Sequence, residues 1–339
     1  FDTNYHYIVP EFWPNQRFRL SSRKPVEEFR EARQAGVPAR PVLVGPVSFL
    51  LLGKAREVAF DRLSLLDGLL EVYGQLLQEL AAEGAEWVQL DEPCLVMDLD
   101  EHQRACLRRA YAALRQAAGG RLRLMVATYF EGLHDNLQTA LQLGVSALHL
   151  DLVRAPGQLD QVLQASLPPD LILSLGVVDG RNVWRTDLEA ALALVEKAAR
   201  VVGRERIWVA PSCSLLHVPY DVRLEQGMDP ELRSWLAFAV QKLEEVATLA
   251  RALQEGRQAV EQELMASREQ VAARRSSPRR VNPAVQRRLA ELTRAETRRP
   301  SPHSARRQLQ QQHLGLPPFP TTTIGSFPQT RELRQLRAR

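Results

Sequence analysis

Hydrophobic positions along the first 250 residues follow two alternating rhythms. Short runs, apolar almost throughout, fall at Tyr5–Val9, Val42–Gly45, Trp87–Asp91, Leu122–Tyr129, Ala147–Leu152, Ile172–Val178 and Ile207–Ala210. Longer stretches separate most of them, with apolar residues at i, i+3 and i+4, as from Leu63 to Leu80 and from Leu188 to Val202. Runs such as VLV and LILSLGVV have no polar alternation, which predicts strands covered by protein on both faces. Strands of that kind alternating with helices predict a parallel sheet, either open and doubly wound or closed as a (βα)8 barrel.

Two features favour the barrel. Neither GxGxxG nor GxxxxGK[ST] follows any strand, so the phosphate loop usual in an open sheet is missing. Polar residues also recur where strands end: Gly45-Pro46, Asp91-Glu92-Pro93, Thr128-Tyr129, His149 with Asp151, Asp179 to Asn182, and Ser212 to Ser214. A barrel gathers those ends into one mouth. The expectation is an α/β fold of the TIM type whose seven visible strands are one short of closure. The chain opens FDTNYHYIVPEF, without Met or a signal-peptide pattern, and so reads as cut upstream, where the missing strand would lie.

An amphipathic helix is expected from Trp235 to Leu253, after which the pattern changes. Residues 254–318 lose aromatics and gain Arg, Gln, Ala, Ser and Pro, as in RRPSPHSARRQ. They read as exposed helices and connections, an interdomain linker. At 319–330, FPTTTIGSFPQT has the chemistry of a strand delivering its backbone to a ligand, with glycine permitting close approach. The expected organisation is therefore a barrel over 1–253, a linker over 254–318, and the opening of a second barrel over 319–339.

Charge and cysteines narrow the setting. Residues 251–339 hold 18 arginines against 7 glutamates, yet the whole chain is only +4, so the first 250 residues are acidic. The basic stretch has no interleaved aromatics, so a solvated linker is preferred to a nucleic-acid surface, and no nucleic-acid partner is expected. No apolar run is long enough to predict a membrane span. Three scattered cysteines, Cys94, Cys106 and Cys213, argue for a reducing, cytoplasmic compartment and against a disulfide framework.

Each chemically suggestive residue has a plain alternative. Asp91 and Glu92 could bind a cation or an amino group, or act as acid and base; equally they could cap backbone amides and pair with arginines. In a strand they point to opposite faces, so at most one can aim into a pocket. His149 and Asp151 share a face, as a polarised pair or as an internal hydrogen-bonded layer. Cys213 and His217, in PSCSLLHVP, invite a metal, but no further Cys or His lies close in sequence and a structural cysteine is favoured. The loop Arg181-Asn182-Val183-Trp184-Arg185 could grip an anion or brace the barrel rim.

Taken together, FDTNYHYIVPEF (1–12), PVLVGPVSFLLLGK (41–54), EWVQLDEPCLV (86–96), ATYFEGL (127–133), LHLDLV (148–153), DGRNVWRTDL (179–188), SCSLLHVP (212–219) and PTTTIGSFPQT (320–330) resemble cobalamin-independent methionine synthase. The resemblance spans essentially the whole chain in the family's order. It implies two (βα)8 barrels, with zinc held by His, Glu and two Cys in the second one. That zinc activates the homocysteine thiol for attack on the N5-methyl of 5-methyltetrahydrofolate polyglutamate, without cobalamin. Of that machinery Ile324, Gly325 and Ser326 match the homocysteine-binding Ile-Gly-Ser. The resemblance places no zinc ligand and no catalytic residue in this chain, so the fragment alone is expected to be inactive, with the C-terminal barrel as its missing partner. A barrel kept only for binding folate or a protein is the alternative.

Overall fold

The computed structural model describes residues 9–56, 60–321 and 330–337. It divides into two compact units, Phe1–Ser276 and Ser277–Arg339. Strands of the first unit are β1 (Glu11–Phe12), β2 (Val42–Val44), β3 (Lys54–Ala55), β4 (Trp87–Asp91), β5 (Arg123–Ala127), β6 (Ala147–Asp151), β7 (Ile172–Val178) and β8 (Ile207–Pro211). Its helices are α1 (Lys24–Gln34), α2 (Pro46–Leu52), α3 (Leu66–Ala82), α4 (Glu101–Ala118), α5 (Leu137–Leu141), α6 (Gln158–Gln164), α7 (Leu188–Val202), α8 (Pro230–Ser234), α9 (Ala239–Glu255) and α10 (Glu261–Ser276).

Six strands form one all-parallel sheet in the order β2-β4-β5-β6-β7-β8, and β1 pairs with β3 separately. Of the seven strands expected, Tyr5–Val9 falls outside the described residues except for Val9, which is not in a strand. The other six are present within a few residues of the expected limits. The short pair β1 and β3 went unforeseen, because two-residue strands leave no periodic signal.

Every strand-to-strand crossover runs through outer helices, so one sheet face meets them and the other turns inward. Val88 and Leu90 of β4, Leu124 and Val126 of β5, and Leu148 and Leu150 of β6 belong to the main core with α3, α4 and α7. Alternate residues, Met125, Ala127 and Ala147, are buried apart from that core. The sheet curls strongly: Trp87 on β4 and Trp208 on β8 meet edge to face with ring centroids 4.8 Å apart, although three strands separate them. Such curvature belongs to a barrel wall. Among the described residues no strand closes the gap between β2 and β8.

Local sequence explains the helix limits. Asp100 and Gln103 form a reciprocal capping box at the start of α4, which Gly119 ends in the left-handed conformation at φ 59°. Asp187 caps α7 by accepting from Ala190 N. The helix expected from Trp235 begins instead at Ala239, because Leu236 forms a β-bridge with Trp184 and Ala237 N donates to Val183 O. Those backbone groups are committed to the loop after β7 and cannot join a helical ladder.

Residues after Leu253, read from composition as linker, continue as packed structure through α10. Val260 and Leu264 are buried four residues apart, and Ser267 Oγ donates to Thr186 O while accepting from Leu188 N. Arg257 and Arg268 both pair with Glu189 on α7. The second unit holds α11 (Pro283–Glu291), α12 (His303–Leu314) and α13 (Arg331–Arg337), none of which buries a residue. No helix among the described residues is long and apolar enough to cross a membrane.

Candidate functional site

The carboxyl ends of β4 to β8 bring together most of the polar residues singled out from sequence. Asp91 and Glu92 diverge as strand geometry requires. Asp91 turns inward, accepting from Gln89 Nε2 at 2.8 Å and from Tyr129 Oη at 3.2 Å. Burial raises its pKa, opposed by those two hydrogen bonds and by the positive charge of Arg40.

Glu92 turns outward and is completely buried among the helices. It accepts from Val47 N and Ser48 N in the first turn of α2, and from Tyr111 Oη of α4 at 3.2 Å. Burial pushes its pKa up against the hydrogen bonds from Ser48 and Val47. This carboxylate is an internal cap joining β4, α2 and α4. Gly45 is required beside it, since a Cβ there would lie 2.1 Å from Glu92 Cδ.

His149 and Asp151 share the inner face but do not touch one another's polar atoms. His149 Nε2 lies 3.2 Å from Ser212 O, an acceptor only, so Nε2 carries the proton, and Nδ1 accepts from Ser174 Oγ at 3.0 Å. Burial lowers the His149 pKa to about 4, so the ring is neutral. Gly176 allows this ring to sit close, because a Cβ there would be 2.9 Å from His149 Cε1. Asp151 accepts from Phe130 N at 2.9 Å, Val153 N at 3.1 Å and Arg154 N at 2.9 Å, fixing the loops after β5 and β6. The internal polar layer, rather than the polarised pair, describes these residues.

Cys213 is buried at the end of β8, with its thiol donating to Ser214 O at 3.8 Å. Burial raises its pKa to about 11, with Asp151 and Asp179 adding to the shift, so the thiol keeps its proton. Both nitrogens of the nearby His149 are occupied by Ser174 Oγ and Ser212 O. Among the described residues no three His, Cys, Asp or Glu side chains converge to hold a metal ion. All three cysteines are free thiols.

The loop after β7 crosses the mouth. Asp179 accepts from Arg181 N at 2.8 Å and from Asn182 Nδ2. Arg181 stacks over the Phe130 ring, 4.4 Å from its centroid, and the His217 ring lies 5.9 Å from the same ring. Burial and the Arg181 charge lower the His217 pKa. Trp184 carries Arg274 over its ring at 4.1 Å, and Arg185 Nε donates to Ser234 O. The loop thus has a braced half, Trp184 and Arg185, and a half facing the mouth, Arg181.

Two residues at the mouth escaped the sequence reading. Phe130 holds φ at 81°, a conformation no pattern of residue types announces for an aromatic side chain. Lys242 is wholly buried, donating to Trp184 O at 3.1 Å, and burial depresses its pKa. Its signal was a lysine on the apolar face of α9, in step with Leu249 and Ala252. Ile324, Gly325 and Ser326 lie outside the described residues.

Comparison with known proteins bears on the same residues. Residues 1–203 match the family described as the cobalamin-independent synthase, N-terminal domain. Over 338 residues the chain is 57% identical to a 5-methyltetrahydropteroyltriglutamate–homocysteine methyltransferase of Caulobacter vibrioides, covering all of this chain and 43% of that protein. It is 55% identical to the protein of the same description from Nitrobacter winogradskyi, covering 44% of it. The chain thus spans less than half the length of the curated relatives it matches. Among solved structures, a Listeria monocytogenes protein assigned as a vitamin-B12-independent methionine synthase superposes with a TM-score of 0.51. That match covers 73% of each chain at 17% identity, and it speaks for the fold alone. With a family model matched over more than half its length and a curled parallel sheet to carry it, the chain belongs to the cobalamin-independent synthase family as its N-terminal domain.

Proposed function

We propose that this chain is the N-terminal part of a methyltransferase that moves the N5-methyl of 5-methyltetrahydropteroyltriglutamate to homocysteine, giving methionine. The observation that carries the reading is 57% identity along the entire chain to a protein so described. Zinc belongs to this reading as the activator of the homocysteine thiol. The described residues of this chain do not fit it, so its ligands are assigned to the remainder of the protein. Ile324, Gly325 and Ser326 are assigned to homocysteine on their match to the family's Ile-Gly-Ser.

The first barrel then acts as a scaffold and as one wall of the folate cleft, and the 339-residue chain alone is inactive. Free cysteines suit a cytoplasmic setting. The test joins this chain to the segment that completes the length of its relatives. With zinc, homocysteine and the methylated triglutamate, the joined protein is expected to form methionine while the 339-residue chain does not. Absence of methionine from the joined protein would refute the reading.

A further inference from the structure

We propose that α10 is a releasable strap: it clasps the base of the loop that crosses the barrel mouth, and it opens as a unit while the barrel stays folded. The proposal concerns the behaviour of this chain and does not rest on the methyl-transfer reading.

The clasp centres on Thr186. Its N–H donates to Glu245 of α9 at 3.1 Å, and its carbonyl accepts from Ser267 Oγ of α10 at 3.1 Å. Ser267 Oγ also accepts from Leu188 N at 3.2 Å, so one serine bridges Thr186 and Leu188 on either side of Asp187, the cap of α7. Charged side chains of α10 extend the hold. Arg274 lies over the Trp184 ring at 4.1 Å, Arg275 pairs with Asp187 at 3.1 Å, and Arg268 pairs with Glu189 at 2.7 Å. The segment from Trp184 to Glu189, which leads out of the mouth loop into α7, is thereby tied to α10 along its length.

What holds α10 itself is slight. α9 buries Gln241, Lys242, Glu245, Leu249 and Ala252, whereas α10, of nearly the same length, buries only Leu264 and Ser267. The side chains of Arg268 and Arg275 are 64% and 68% exposed, and ion pairs of that kind contribute little and weaken in salt. The seam beneath α10 is also loosely filled. A cavity of about 170 Å³ lies there, and at its wall Thr186 Oγ1 and Glu245 Oε2 are buried without completing a hydrogen bond. Contacts that are already missing are not lost when the helix lifts, and the two unsatisfied atoms gain water. Elements with few buried apolar contacts open below the free energy of global unfolding. Lifting α10 removes the donor to Thr186 O and the acceptor for Leu188 N together, so the base of the loop loosens with it. α10 is also the covalent link between the barrel and residues 277–339, which makes its release a route by which an event in that segment reaches the mouth.

The test is amide hydrogen exchange of the full 339-residue chain, read by mass spectrometry over α10, residues 179–190, and β5 to β6. In the wild type α10 should exchange about tenfold or more faster than β5 and β6, and high salt should speed α10 and residues 184–189 together while leaving those strands unchanged. Leu264→Ala removes the buried apolar anchor and should speed the same two segments. Met265→Ala, on the exposed face of α10, should speed neither. Exchange of α10 at the rate of β5 and β6, or no response of α10 to salt, would overturn the strap. Faster exchange of α10 with residues 184–189 unchanged would overturn the clasp. The salt series needs no variant, so it decides the matter even where Leu264→Ala fails to fold.

Discussion

Acidification should destabilise the barrel through His149, and the size of the effect follows from its surroundings. The ring is neutral in the folded protein because burial lowers its pKa to about 4. In an unfolded chain the same group has a pKa of about 6.5. Between those values the unfolded state binds a proton that the native state refuses, so stability falls as pH falls. The contribution is complete above pH ~6.5 and is lost by the time pH reaches ~4. A difference of about 2.5 units at about 1.4 kcal/mol each amounts to ~3 kcal/mol.

Other buried groups act with the opposite sign. Asp91, Asp151 and Glu245 have pKa values raised by burial, so their contribution is present at low pH and declines as pH rises. The raw pH dependence therefore mixes the two, and a variant must separate them. His149→Gln keeps a donor toward Ser212 O and an acceptor toward Ser174 Oγ but cannot take up a proton. Urea unfolding followed by tryptophan fluorescence at intervals between pH 7 and 4.5 gives the stability of each protein. The wild type should lose more than the variant, the gap widening by roughly 1.4 kcal/mol per pH unit below pH 6.5. Parallel curves would show that His149 is not buried and neutral, and the internal polar layer would need another description.

Further expectations concern the neighbouring residues. Gly45→Ala would drive a Cβ to 2.1 Å from Glu92 Cδ, and thermal melting should show a loss of about 3 kcal/mol, as overpacking and a displaced cap combine. Tyr111→Phe removes one donor to the buried Glu92 and should cost ~1–2 kcal/mol in urea unfolding; an unchanged midpoint would show that the other donors suffice. Cys213, with its thiol pKa near 11, should react with iodoacetamide at pH 7.5 at less than about a tenth of the rate of free cysteine, measured by mass spectrometry, and full reactivity would contradict its placement. Purified 339-residue chain should carry no stoichiometric zinc by elemental analysis, since among the described residues no ligand set converges.

How far the sequence could be read depends on whether a feature is periodic or conformational. β7 is recoverable at Ile172–Val178 because seven successive residues are hydrophobic or small, and a strand buried on both faces needs such a run. The divergence of Asp91 and Glu92 is likewise set by the two-residue repeat of a strand, whatever lies around it. What sequence cannot supply is the neighbour. Nothing local distinguishes a Glu92 facing solvent from one enclosed by α2 and α4, because Ser48 and Tyr111 are distant in the chain. α10 illustrates the opposite failure: its composition reads as solvated linker, and only the buried Leu264 and the hydrogen bonds of Ser267 to Thr186 and Leu188, some eighty residues back, show that one face packs.

The same distinction bears on function. A barrel mouth lined by aspartates suggests acid-base or metal chemistry when read as a string of residue types, yet the structure assigns most of those carboxylates to backbone amides. Asp151 fixes the loops after β5 and β6 through three backbone amides, and Asp179 fixes its own loop through Arg181 N and Asn182 Nδ2. The carboxylates of this mouth therefore serve first to hold the loops that form it.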